Sequence, residues 1–183
     1  YEREKWNVFA KFILRIGESL GVRWANEVIC ISQDIAKEVS AKYKRRVTVI
    51  PNGVVMPEEQ SRESSQQAVT VHALQHYGLS KGKYILAVGR LVKEKGFDVL
   101  IKAYKRAQEH KDTSAQVERW KLVIAGKADH EDKYSRELKE LAGKSKDIIL
   151  TGFITGKPLQ ELYSYAGLFV LPSYYEGLPI ALL

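Results

Sequence analysis

Apolar residues recur along this chain in two rhythms. Between residues 6 and 24 they fall at Trp6, Phe9, Phe12, Ile13, Ile16 and Leu20, a spacing that predicts a helix. Val28 to Ser32 is a short, mostly apolar run and predicts a strand. Asp34 to Tyr43 predicts a helix, with Ser32 or Asp34 available as its cap. Val47 to Ile50 predicts a second strand, closed by the turn signal Pro51-Asn52-Gly53. Residues 57–67 are polar and read as a linker or mobile loop. A short helix from Ala68 to Tyr77 follows, with Gly78 as its stop.

From there the two rhythms alternate. Tyr84 to Val88 predicts a strand, and Phe97, Leu100, Ile101, Tyr104 and Ala107 mark one face of a helix. Trp120 to Ala125 predicts a strand, and Tyr134, Leu138 and Leu141 the next helix. Ile148 to Leu150 predicts a strand, then Leu159, Leu162, Tyr163 and Ala166 a helix, then Leu168 to Leu171 a strand ending at Pro172. Short buried strands alternating with amphipathic helices predict an α/β fold, a parallel sheet with helices on both faces.

Composition narrows this picture. The 183 residues are 45% hydrophobic with three Trp, enough for one good core and unlike a disordered chain. No apolar run has the length to span a bilayer, and the start, Tyr1-Glu2-Arg3-Glu4-Lys5, does not read as a leader. The absent initiator Met and the final run Ile180-Ala181-Leu182-Leu183 lead us to expect a piece of a longer product, its last domain incomplete. The single Cys30 sits in an apolar run and reads as an inert buried thiol, which suits a cytoplasmic setting. The formal charge of +7 admits nucleic acid, anionic lipid or phosphorylated ligands as partners. The one dense basic cluster, Lys42 to Arg46, reads more simply as the solvated C-terminus of a helix. No stacking aromatics accompany it, so no nucleic-acid partner is expected.

Candidate chemistry collects where predicted strands end, the edge at which open α/β sheets hold ligands. Arg90 and Lys95 follow the Tyr84–Val88 strand and flank a helix start, which suits an anion. The bland alternative is a solvated basic loop. Neither the dinucleotide-binding Gly-x-Gly-x-x-Gly pattern nor the P-loop pattern is present. Glu176 lies in the Gly-containing turn after the last predicted strand, as a lone acceptor carboxylate suited to sugar hydroxyls, or as an ordinary solvated turn residue. The Gly177 and Leu178 N–H groups would share its crevice. Gly126-Lys127 and Gly152-Phe153-Ile154 also follow strand ends, where a nucleotide base could lie, though ordinary turns explain them equally. His72 and His76 stand four apart without the third ligand a metal site wants, and a surface helix with two unremarkable histidines is the simpler reading. His110 and His130 fit no triad spacing.

Taken in order, these motifs resemble those of family 4 retaining glycosyltransferases of the GT-B fold. Val49-Ile50-Pro51-Asn52-Gly53-Val54 resembles the passage from acceptor to donor domain. Gly89-Arg90-Leu91-Val92-Lys93-Glu94-Lys95-Gly96 resembles the diphosphate loop. Leu122 to Gly126 and Leu150 to Phe153 resemble the base-site strands and turns, and Pro172 to Pro179 the donor-sugar loop. The resemblance runs from about Asn26 to Leu183. It implies a Rossmann-like donor-binding domain at 68–183, truncated at its C-terminus, behind a linker at 57–67 and the tail of an acceptor domain at 1–56.

By residue, the resemblance implies Arg90 and Lys95 on the diphosphate, with backbone N–H groups of Gly177 and Leu178. Glu176 would bind the sugar, and Gly126, Phe153 and Ile154 would border the base. Arg90, Lys95 and Glu176 would carry catalysis. The family's second glutamate, expected just after Leu183, falls beyond this sequence, as does most of the acceptor domain. The expected activity is sugar transfer from a nucleotide-diphosphate donor to a sugar or lipid-linked acceptor with retention, in polysaccharide or glycolipid synthesis, with the piece alone inactive. No metal or other cofactor is expected. The expected location is cytoplasmic, with a peripheral contact at the inner face of the membrane. The alternatives are a sugar-nucleotide epimerase of the same architecture and a module that binds nucleotide sugar without turnover.

Overall fold

The computed structural model describes residues 7–54, 72–109 and 119–182. The predicted linker at 57–67, the start of the helix expected from Ala68, and His110 lie outside the described residues. By internal contacts the chain divides into two units, Tyr1–Val55 with Gly177–Leu183, and Met56–Glu176.

The first unit contains helix α1 (Val8–Trp24), strand β1 (Ile29–Cys30), helix α2 (Gln33–Tyr43) and strand β2 (Thr48–Val49). Asn7 caps α1 by accepting from the Ala10 N–H at 2.8 Å, and Ser32, not Asp34, caps α2. The strands pair in parallel, Ile29 with Thr48 and Cys30 with Val49. The basic cluster serves structure. Arg45 donates to the Arg23 and Ala25 carbonyls, which α1 leaves unpaired at its C-terminus, and Lys42 pairs with Glu18 at 2.8 Å. Ile180–Leu182 form a single 3₁₀ turn.

The second unit holds the main sheet. Its elements are helix α3 (His72–His76), strand β3 (Tyr84–Val88), a 3₁₀ turn (Lys93–Lys95), helix α4 (Phe97–Glu109), strand β4 (Lys121–Ala125), helix α5 (Lys133–Gly143), strand β5 (Ile148–Gly152), helix α6 (Gly156–Tyr165) and strand β6 (Leu168–Phe169). The four strands are all parallel, in the order β5-β4-β3-β6. Side chains alternate across the sheet and build a core on each face. Leu122 and Ile124 meet Phe97, Ile101 and Tyr104 of α4 and Leu138 and Ala142 of α5. Tyr84, Leu86, Val123 and Ala125 meet Ala73 and Leu74 of α3 and Leu162 of α6. Burial of this kind contributes roughly 25 cal/mol per Å² of apolar surface, which is why the periodic positions decide the fold. A reciprocal capping box between Asp132 and Ser135 starts α5.

This connectivity has one reversal. From β3 the chain moves outward through β4 to β5 with α4 and α5 on one face. It then returns through α6, on the other face, to place β6 on the far side of β3. The winding reverses between β3 and β6, and the carboxyl ends of strands at such a reversal are where open α/β sheets hold ligands.

Candidate functional site

Two close backbone approaches shape this carboxyl edge. Gly96 ends the 3₁₀ turn at φ +63°, and a Cβ there would collide with the Pro172 carbonyl oxygen. The turn after β3 therefore lies directly on the segment after β6, and the Tyr174 N–H donates to the Glu94 carbonyl at 3.0 Å. Across the sheet, Gly126 at φ +151° leaves no room for a Cβ against the Gly89 carbonyl oxygen. The Gly126 N–H donates to Gly152 at 2.9 Å, and the Leu91 N–H to the Lys127 carbonyl at 3.1 Å. The turns after β3, β4 and β5 are thus knitted into one rim.

Three side-chain pairs sit along this rim. At the β6/β3 boundary the Lys95 ammonium bonds the Glu176 carboxylate at 2.5 Å, the side chains 24% and 21% exposed. Burial alone would raise the Glu176 carboxyl, but the bond from Lys95, the Ser173 hydroxyl and the Lys95 charge together outweigh it, and the group is lowered from its ordinary value. At β3/β4 the Arg90 guanidinium pairs with Asp129 at 2.8 Å, with both groups more than half exposed. At β4/β5 the Lys127 ammonium stands 5.0 Å from the centre of the Phe153 ring, which is itself 65% exposed. Neighbouring strands lie about 4.8 Å apart, so the row from β6 to β5 extends roughly 14 Å.

The structure brings Lys95 and Glu176 into contact across 81 positions of sequence. It sets Arg90 on the same edge but turned to Asp129 rather than to Glu176. Phe153 is open to solvent, whereas Ile154 is half-buried and packs with the core on the α3/α6 face. Gly177 and Leu178 group with the first unit, where a Cβ at Gly177 would meet Ile31 and Ile35 and the Leu178 carbonyl accepts from Asn52. Asp129 and Lys127 were not singled out from sequence as side chains with roles, since only the fold sets them beside Arg90 and Phe153. Among the described residues no group of three or more His, Cys, Asp or Glu could hold a metal ion, and no helix is long and apolar enough to cross a membrane.

The family model described as glycosyl transferases group 1 matches residues 74–183. An uncharacterised glycosyltransferase of Methanocaldococcus jannaschii is 32% identical over 161 residues, 86% of this chain and 39% of that protein. The alpha-galactosylglucosyldiacylglycerol synthase of Streptococcus pneumoniae is 28% identical over 141 residues, 76% of this chain and 35% of the synthase. Among solved structures, WaaG, a glycosyltransferase involved in lipopolysaccharide biosynthesis, superposes with a TM-score of 0.66 at 17% identity, over 98% of this chain and 48% of WaaG. The chain spans less than half the length of the curated relatives it matches.

Proposed function

The chain belongs to the family of group 1 glycosyl transferases, and from that premise we propose that it is the donor-binding part of a retaining family 4 enzyme using a nucleotide-diphosphate sugar. The observation that carries this is the row of groups on the carboxyl edge, a carboxylate–ammonium pair at the switch point, a guanidinium one strand over, and an open aromatic beyond. Sugar, diphosphate and base follow one another in that sequence in such a donor. Glu176 accepts from sugar hydroxyls. An ammonium has three donors, so Lys95 can keep Glu176 and still reach a phosphate oxygen. Arg90 exchanges Asp129 for the diphosphate, which its fork matches better than a single carboxylate oxygen.

In transfer, the bond between the anomeric carbon and the diphosphate oxygen breaks, and its electron pair passes to the phosphate. The acceptor oxygen bonds the same face of that carbon and passes its proton to the departing phosphate oxygen. Charge grows on the leaving oxygens, where Arg90 and Lys95 stabilise it more than in the ground state. In the full-length enzyme Arg90→Ala is expected to lower kcat roughly a hundredfold, the size of one lost charge-stabilising donor; unchanged kcat would remove Arg90 from the reaction. On this reading two side-chain cations supply the positive charge and no metal ion is called for. Turnover that dies with chelator and returns with a divalent ion would overturn that part.

The diacylglycerol glycolipid synthase and the lipopolysaccharide glycosyltransferase among the similar proteins favour an acceptor in glycolipid or polysaccharide synthesis. A lipid-linked acceptor brings the cytoplasmic enzyme to the membrane surface as a peripheral protein, and no nucleic-acid partner is assigned.

A further inference from the structure

We infer that Lys127 selects the nucleotide, favouring a base that presents carbonyl oxygens (uracil or guanine) over adenine. The inference rests on the donor reading above and extends it to the base. Phe153 supplies the stacking surface of the rim. It follows β5, is 65% exposed, and offers its ring at the far end of the row from Glu176. A ring face is indifferent to which base lies on it, so stacking alone gives affinity without choice.

The choice comes from what borders the ring. Lys127 is the charged group on it, with its ammonium 5.0 Å from the centroid. Its position is fixed from both sides. The Lys127 carbonyl accepts from the Leu91 N–H, and the adjoining Gly126 N–H is bonded to Gly152, one residue before Phe153. The stem of Lys127 and the ring therefore start from neighbouring backbones that cannot slide apart. Lys127 is exposed, so a rotation of its side chain alone can carry the ammonium from the ring face to the edge of a base stacked there.

An ammonium only donates. Uracil offers its O2 and O4, and guanine its O6 and N7, as acceptors. Adenine has no carbonyl oxygen: its acceptors are ring nitrogens flanking an exocyclic amino group that itself donates, so a cation at that edge gains a weaker partner and meets a donor beside it. A charge-assisted hydrogen bond gained with one base and opposed by the other separates the two by roughly tenfold or more.

The test is calorimetric titration of the whole chain, as wild type, Lys127→Ala, Phe153→Ala and Arg90→Ala, with UDP, GDP and ADP. Wild type is expected to bind UDP and GDP at least tenfold more tightly than ADP. Lys127→Ala is expected to lose that preference by weakening UDP and GDP while leaving ADP within twofold. Phe153→Ala is expected to weaken all three alike. Equal wild-type affinities, tighter ADP, or a preference that survives Lys127→Ala overturns the inference while leaving the diphosphate site intact. Binding of none of the three, or binding indifferent to Arg90→Ala, removes the donor reading, and this inference falls with it.

Discussion

At the residue scale, the pair Lys95–Glu176 links the stability of the carboxyl edge to pH. The folded Glu176 carboxyl lies below its ordinary value of 4.5, so it binds protons less readily folded than unfolded. Its contribution is present in full above that ordinary value and is lost as pH falls through the lower folded one. Lys95→Met is therefore expected to cost about 1 kcal/mol in urea unfolding at pH 7, a figure typical of a single ion pair near a protein surface. The cost is expected to shrink toward zero as pH falls below the ordinary value of 4.5 and through the lower folded one. A cost independent of pH would show that Lys95 acts by packing. The residue types were legible in the sequence because a strand end followed by cations, or by a carboxylate in a Gly turn, is a local pattern. Their partners were not. Nothing local to Arg90 announces Asp129, and nothing local to Phe153 announces Lys127, because those meetings are made by strand order.

At the element scale, the strands and helices of the second unit were readable because each sits at a periodic apolar face. Tyr84–Val88 was placed to the residue, and β4 and α4 nearly so. The strands of the first unit are two residues each where four or five were expected. Apolar character there runs past the ladder. Ile29 and Ile50 are exposed, so hydrophobicity marks a longer stretch than pairing holds. β6 likewise stops at Phe169, although the Val170 N–H still bonds Leu86. What joins the elements into a site is glycine. Gly126→Ala is expected to destabilise the second unit by about 3 kcal/mol, since a non-glycine residue must leave φ +151° and the Gly89 carbonyl must move. Thermal unfolding measures this, and a Tm unchanged within a degree would show that the turns of β3 and β4 are not locked as described. Gly143, the last residue of α5, with nothing within 4 Å of a Cβ, is the internal control.

At the scale of the whole molecule, the two units differ in how much core each owns. In the first, Ala36 is the one buried residue among those described, and Phe9, Phe12, Ile13 and Trp24 of α1 are exposed. In the second, two cores sandwich a parallel sheet. The α/β class followed from the alternation of periods, but the strand order β5-β4-β3-β6 did not. Periodicity says which residues are inside an element, not which strand lies beside which. The reversal between β3 and β6 turns scattered motifs into one edge, and the functional account depends on it. The most direct test is amide chemical-shift mapping of the chain titrated with uridine or guanosine diphosphate. The account predicts perturbations confined to the turns at 89–96, 126–129, 152–154 and 173–176. Shifts gathered instead at the opposite edge, around Lys83, Trp120 and Asp147, or no shifts at saturating nucleotide, would contradict it.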